Sequence, residues 1–134
     1  MRIWLLAALL LVTAACGAYQ FPGGSESPAP ATATVSGRVL AVPCAPVQKP
    51  GDTCAGRPVA NFELDYVAGA NVTKAITDAN GNYTVELAPG TYAVKMKSSM
   101  RVISGPLSIT VAAGTSTTIN YVLDSGIRVP VPQQ

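Results

Sequence analysis

The sequence contains no histidine, and only 12% of its 134 residues are charged. Without histidine, the chain lacks the side chain most often used as a general base and as a zinc ligand. The charges nearly balance, with nine Lys or Arg against seven Asp or Glu, and no basic run occurs. This composition disfavours nucleic-acid binding and histidine-dependent catalysis. We therefore expect a protein that is not an enzyme and that holds no metal or other cofactor.

The only long apolar run lies at the N-terminus. Arg2 supplies a positive charge, residues 3–12 are all apolar, and residues 13–15 are small. A membrane-spanning helix needs about 20 apolar residues, so this shorter run is typical of an export signal. We predict a signal peptide over residues 1–15 and an exported mature chain.

Cysteine is scarce, and the count of three is odd. Cys44 and Cys54 lie close together in one predicted loop, and an exported protein meets an oxidising compartment. We predict a disulfide between them; a redox pair or a pair of metal ligands is the alternative that their wide spacing disfavours. By the chain-entropy relation, closing this loop contributes about 2.5–3 kcal/mol to the free energy of unfolding.

Cys16 directly follows the small residues, and this placement resembles the lipobox of bacterial lipoproteins. The resemblance implies that Cys16 is diacylated, becomes the first mature residue and attaches the protein to a membrane. Lipoboxes usually carry leucine where this chain has Thr13, and ordinary signal peptidase would also accept the small residues Thr13 and Ala15. The expected location is therefore the cell envelope, at the outer membrane or the cell surface. Secretion with a free Cys16 thiol is the alternative.

The mature chain divides into a linker, one domain and a short tail. Residues 16–34 are rich in Gly, Ser, Pro and Ala, which is typical of a flexible, solvated spacer. Residues 35–124 suffice for one small domain, and residues 125–134 form a tail that contains proline.

Apolar and polar residues alternate along most of the predicted domain, and turn residues separate the alternating segments. Tyr83, Val85 and Leu87 share one face of a segment, and Leu107, Ile109 and Val111 share a face of another. A period of two with turns at the gaps predicts antiparallel strands with one buried face. The fold class that we predict is all-β, a seven-stranded antiparallel Greek-key β-sandwich. The predicted strands are 35–42, 59–66, 71–77, 82–87, 91–97, 107–111 and 117–123.

Three turns carry a resemblance to a known family. They are an Asp-x-x-Gly-x-Tyr turn at 78–83, a Pro-Gly turn at 89–90 and an Ala-Gly-x-x-Thr turn at 113–117. With the strands between them, these turns look like a carboxypeptidase regulatory-like domain in a bacterial lipoprotein. The resemblance implies a transthyretin-like β-sandwich that serves as a spacer, an adhesive or an accessory domain. The cysteine-containing loop is longer than the connection that is usual in this family.

Two groups of polar residues are candidate sites. Glu63 and Asp65 share one face of a predicted strand, where they are either an acid pair for catalysis or part of a solvated outer face. Asp78 and Asn80 suggest a calcium loop, but the bidentate carboxylate that such loops need is missing. A tight turn is the favoured interpretation, because Asn80 and Gly81 tolerate a positive φ.

A loop over residues 98–106 is the predicted contact surface. Met100, Arg101, Val102 and Ile103 place apolar side chains around a cation, which is typical of protein contacts. The alternative is that the apolar residues fold back onto the core. We expect a structural or protein-binding role, with the membrane as one partner through Cys16 and an envelope protein or glycan as the other. A carbohydrate-binding or adhesive secreted domain is the alternative function.

Overall fold

The computed structural model describes residues 28–46, 51 and 53–127. Within these ranges the chain forms strands and no helix, in two sheets that pack face to face. The predicted all-β class and the two-sheet sandwich are confirmed. The strands are β1 (Ala33–Val42), β2 (Arg57–Pro58), β3 (Glu63–Ala68), β4 (Asn71–Ile76), β5 (Asn82–Leu87), β6 (Gly90–Met96), β7 (Arg101–Ser104), β8 (Ser108–Val111), β9 (Ser116–Thr118) and β10 (Tyr121–Asp124).

The first sheet is built around β1, the longest strand. Its N-terminal half pairs with β5 on one side and with β9 on the other. Its C-terminal half pairs with β2 and with β10, and β10 pairs in turn with β7. Because β9 and β10 both lie beside β1 in succession, they act as one interrupted strand.

The second sheet has the order β4-β3-β6-β8 and is antiparallel throughout. Among the residues that the structure describes, β4 and β8 are the two edges of this sheet. The connection from β7 to β8 carries the chain from the edge of the first sheet to the edge of the second.

The core lies between the sheets and takes alternate residues from both, as the period-two pattern requires. All five aromatic side chains of the described residues are buried in it. The largest buried members are Val35, Val39, Phe62, Leu64, Tyr66, Tyr83, Val85, Leu87, Tyr92, Val94, Ile109, Val111, Tyr121 and Leu123.

Two details of the predicted fold differ from the structure. The described residues contain ten strand segments rather than seven, because 57–58 and 101–104 also pair and 117–123 is interrupted after Thr118. The first sheet is mixed rather than antiparallel, since β1 runs parallel to β9 and β10. Side-chain alternation reports which face of a strand is buried, and it carries no information on strand direction.

The interruption between β9 and β10 lies against Gly37 in the middle of β1. The Ile119 N–H donates to the Ser36 carbonyl at 2.7 Å, and the Arg38 N–H donates to the Asn120 side-chain oxygen at 2.9 Å. A Cβ on Gly37 would lie 1.7 Å from the Ile119 carbonyl oxygen. Glycine therefore permits the close approach of the two backbones, as it often does at strand irregularities.

Cys44 and Cys54 form a disulfide, with their Cα atoms 5.9 Å apart. This part of the prediction is confirmed. The bond closes the connection between β1 and β2 on itself and does not link the two sheets. Cys16, the predicted signal peptide and most of the predicted linker and tail lie outside the described residues. The first strand begins at Ala33, two residues before the predicted domain start.

Candidate contact surface

The predicted contact loop contains a strand. Residues 101–104 form β7, which pairs with β10 through a register shift beside Val122 and Leu123 and ends the first sheet. The sequence did not reveal this strand because it is short and its four residues do not alternate in burial. The segment is thus a sheet edge rather than a free loop.

The four predicted contact residues divide between the core and the surface. Met100 and Val102 are half-buried and pack against the core cluster. Arg101 and Ile103 are exposed, and Ile103 keeps 52% of its surface accessible. Folding back onto the core therefore describes two of the four residues, and exposure at a contact surface describes the other two.

The connection from β7 to β8 is held closely against the core. The Tyr121 hydroxyl donates to the Pro106 carbonyl at 2.9 Å, and Gly105 has φ +117°. A Cβ at Gly105 would lie 2.2 Å from the Tyr121 ring, so the backbone itself rests on that ring. The backbone at Gly105 thus occupies the position next to the core, and the Leu107 side chain after it is 54% exposed.

We use the name apolar strip for Ile103 and Leu107, the two exposed apolar residues that flank this connection in the sequence. The pattern of residues 107–111 predicted that Leu107 is buried, and this is wrong, because its side chain is more than half exposed at the beginning of the β8 ladder. Because the connection is fixed by Tyr121 and Gly105, the strip is presented without the freedom of a mobile loop. Preordered apolar side chains lower the entropy cost of forming a contact.

We expect Met100→Ser to lower the free energy of unfolding by about 1–2 kcal/mol, because a half-buried methionine loses its apolar contacts with the core. Ile103→Ser serves as the matched variant three residues away. It is expected to change the free energy by less than about 0.5 kcal/mol, since its side chain faces solvent. Urea unfolding of both variants measures the difference. Equal losses would show that Ile103 also belongs to the core.

The outer face of the second sheet carries an ion cluster. Glu63 forms ion pairs with Lys74 at 2.9 Å and with Lys97 at 2.8 Å, and Lys97 lies 3.9 Å from Asp65. All three lysines of the described residues, Lys74, Lys95 and Lys97, are on this face. Glu63 and Asp65 are thus brought together, but in the middle of lysine side chains.

This setting gives Glu63 the wrong charge state for an acid catalyst. The hydrogen bond from Lys97, followed by that from Lys74, lowers the pKa of Glu63 to about 2. A carboxyl with so low a pKa is ionised at every physiological pH and cannot donate a proton near neutrality. The geometry supports the interpretation of a charged outer face over that of a catalytic acid pair.

The Asp78 carboxylate organises a tight turn. One oxygen accepts from the backbone N–H of Asn80 at 2.8 Å and from that of Asn82 at 2.9 Å, and the other accepts from the Asn82 side chain. These bonds, led by the one from the Asn82 backbone, lower the pKa of Asp78. Gly81 has φ +77°, as predicted for the turn. N–H groups occupy both carboxylate oxygens, which supports the turn over the calcium loop.

Elsewhere in the described ranges, no group of three or more His, Cys, Asp or Glu residues is placed to hold a metal ion. No helix in the part of the chain that the structure describes is long and apolar enough to cross a membrane. Val72 and Ile76 are the other large exposed apolar residues, and they flank Lys74 on the edge strand β4.

Three buried tyrosines lie where the two sheets meet. The Tyr83 hydroxyl donates to the Ile119 carbonyl at 2.7 Å, and the rings of Tyr83 and Tyr121 are 6.4 Å apart. The Tyr66 hydroxyl is buried beside that of Tyr83, without a hydrogen bond of good geometry among the described residues. Burial is the main cause that raises the pKa of Tyr66 and Tyr121 well above the ordinary value, and that of Tyr83 to about 12.

We expect stability to fall on the alkaline side because of these tyrosines. A phenol whose pKa rises on folding binds its proton more tightly in the folded state. Its contribution is complete below the unfolded pKa of 10.0 and is lost as the pH rises through the folded pKa, about 12 for Tyr83. Urea unfolding across this range, with tyrosinate absorbance, measures the effect. A free energy of unfolding that stays constant from pH 10 to 12 would contradict it.

Comparisons with known proteins find only solved structures of low similarity among the matches described below. No family model matches it, and no curated protein matches it. A minor pilin, GBS52 of Streptococcus agalactiae, is 14% identical over 78% of this chain and 48% of its own, with a TM-score of 0.49. A DUF3823 family protein from Parabacteroides merdae is 14% identical over 72% of this chain and 47% of its own, with a TM-score of 0.46.

A second DUF3823 family protein, from Bacteroides ovatus, is 18% identical over 67% of this chain and 44% of its own, with a TM-score of 0.42. This chain thus spans less than half the length of each of these solved structures. At such identities and scores the likeness concerns the fold and assigns no role to a residue. Within the described residues the chain is an all-β sandwich with a disulfide-closed loop and an exposed apolar strip.

Proposed function

We propose that the protein is a non-catalytic module of the cell envelope, attached to a membrane through a lipid on Cys16, whose apolar strip binds a partner protein. The observation that carries the proposal is the strip itself. Ile103 and Leu107 are both more than half exposed, although the connection between them is fixed on the core. Exposed apolar residues held in place are a common feature of protein contacts.

An exposed arginine next to the strip fits a protein partner. Arg101 is exposed beside Ile103 at the start of β7, and Asp124 of β10 lies opposite it in the ladder. An apolar centre with an arginine at its rim is the usual composition of an interface between proteins.

The state of the carboxylates supports a role without catalysis. Glu63 is held ionised by two lysines, and both oxygens of Asp78 are occupied by N–H groups of its own turn. Each contributes contacts within the fold, and the lowered pKa of each carboxyl makes it a poor proton donor near neutral pH.

The turns support a carboxypeptidase regulatory-like domain as the finer description of the fold. The turn at 78–83 uses Asp78 as its acceptor, Gly81 at positive φ and Tyr83 as a buried anchor, which accounts physically for the Asp-x-x-Gly-x-Tyr pattern. A bacterial lipoprotein context remains part of this proposal. A carbohydrate-binding role is less well supported, because every aromatic side chain of the described residues is buried and none offers a stacking platform.

Photo-crosslinking in the producing cells tests the contact role. A photoreactive amino acid at Ile103 is expected to give a discrete protein adduct, because this side chain lies within the proposed interface. The same amino acid at Thr84, which is exposed on β5 at the opposite side of the first sheet, is the matched control. Adducts of equal yield at both positions, or none at Ile103, would contradict the proposal.

A further inference from the structure

The free edge of β8 carries no protective charge. Within the described residues β8 pairs with β6 alone, so its other side is open. No charged residue occurs between Arg101 and Asp124, and the strand itself contains no proline. Proteins usually protect open edges with lysine, proline or a bulge. The opposite edge of the same sheet, β4, has Lys74 near its centre.

The hydrogen-bond pattern shows which backbone groups of β8 point outward. The Val94 N–H donates to the Leu107 carbonyl at 2.8 Å, so these two residues form a hydrogen-bonded pair of the antiparallel ladder. Such pairs alternate along a ladder, so Ile109 opposite Tyr92 is also bonded to β6. The N–H and C=O groups of Ser108 and Thr110 therefore face away from β6, toward the open edge.

We propose that a second copy of this chain adds its own β8 to this edge, across a two-fold axis at Ile109. The inference deepens the proposed protein-binding role and rests on it. In antiparallel pairing about this axis, Ser108 faces Thr110 of the second copy, and Thr110 faces Ser108. Both are the residues whose backbone groups point outward, so each pair exchanges two N–H···O bonds.

The side chains fit this register. The hydroxyls of Ser108 and Thr110 lie on the outer face, where Thr110 already contacts the Thr91 hydroxyl at 2.9 Å. Leu107 comes opposite Val111 of the second copy. This pairing covers part of the exposed Leu107 side chain, one of the two residues of the apolar strip. No like charges meet, because the segment is uncharged. Self-pairing of β4 centred on Lys74 would place two lysines opposite each other, which is unfavourable.

Sedimentation of the full chain in density-matched detergent, over a hundredfold dilution, tests the proposal. We expect a dimer that dissociates on dilution. The double variant Ser108→Lys with Thr110→Lys places two pairs of lysines in contact across the axis and should raise the dissociation constant at least about tenfold. Ser116→Lys with Thr118→Lys adds the same charges to exposed positions of β9 in the other sheet and should leave the dissociation constant unchanged.

Thermal unfolding of each variant establishes that the comparison is made on folded protein. A wild-type chain that stays monomeric at every concentration would overturn the proposal, as would a dimer that is equally strong in both double variants. Either result would leave the protein-binding role standing if Ile103 still crosslinks to a different envelope protein. If Ile103 gives no crosslink but the β8 dimer persists, the contact role of Ile103 is contradicted and the dimer proposal is supported.

Discussion

Gly37→Ala is expected to lower the free energy of unfolding by about 3 kcal/mol. The new Cβ would lie 1.7 Å from the Ile119 carbonyl oxygen and 2.6 Å from the carbonyl carbon. No side-chain rotation relieves a clash with backbone, so β1 must separate from the junction of β9 and β10. That separation would break the hydrogen bond from the Tyr83 hydroxyl to Ile119 and expose part of the core.

Gly114→Ala is the matched control for this prediction. A Cβ at Gly114 meets nothing within 4 Å, although the residue has φ +70°. Only the left-handed backbone conformation is penalised there, at a cost of about 1 kcal/mol. Urea unfolding of the two variants separates the effect of crowding from that of backbone conformation. A smaller loss for Gly37→Ala than for Gly114→Ala would show that the two backbones do not approach each other in this way.

Thr77→Val is expected to cost about 3 kcal/mol, although it changes almost no volume. The buried Thr77 hydroxyl donates to the Val59 carbonyl at 2.6 Å and accepts from the Phe62 N–H at 2.9 Å. The backbone of Thr77 adds hydrogen bonds to Asn61 and Phe62. Valine would leave one backbone donor and one acceptor buried without partners, and each such group costs about 1–3 kcal/mol.

Thr77→Ser keeps the hydroxyl and loses only the methyl group, so it should retain most of the stability. The free energies of unfolding of the valine and serine variants, measured side by side, test the role of the hydroxyl. If serine is as damaging as valine, the methyl group rather than the hydrogen bonds holds the turn before β3.

The strands that the sequence predicts best are those in which alternation and turn residues agree. Tyr83, Val85 and Leu87 are all buried, as their spacing indicated, and the turn at 78–83 has the predicted glycine at positive φ. In this strand the local pattern and the packing of the sandwich favour burial of the same side chains. The local sequence is therefore sufficient to predict which face is buried.

The sequence was less informative where tertiary contacts decide the structure. Leu107 continues the apolar phase of β8, and its carbonyl still accepts from the Val94 N–H of β6, but at this end of the sheet its side chain is 54% exposed. The parallel pairing of β1 with β10 joins residues far apart in sequence, and no local pattern encodes it. The sequence alone does not indicate the importance of Gly37, because that importance depends on Ile119 across the sheet.

The candidate contact surface was only half predictable for the same reason. Met100, Val102 and Ile103 are chemically similar, and their order in the sequence does not reveal which of them faces the core. Pairing of β7 with β10 determines that Met100 and Val102 pack inward while Ile103 faces solvent. The apolar strip consists of Ile103 and Leu107, although the alternating pattern of residues 107–111 predicts that Leu107 is buried.

The intact mass of the protein from the membrane fraction of its producing cells, with and without reduction and alkylation, tests the proposed envelope module most directly. We predict a mass that begins at Cys16 and includes a diacylglyceryl group. Two thiols should become reactive only after reduction, because Cys44 and Cys54 are bonded to each other. An unlipidated protein recovered from the medium would contradict the anchor, and thiols that react without reduction would contradict the closed loop.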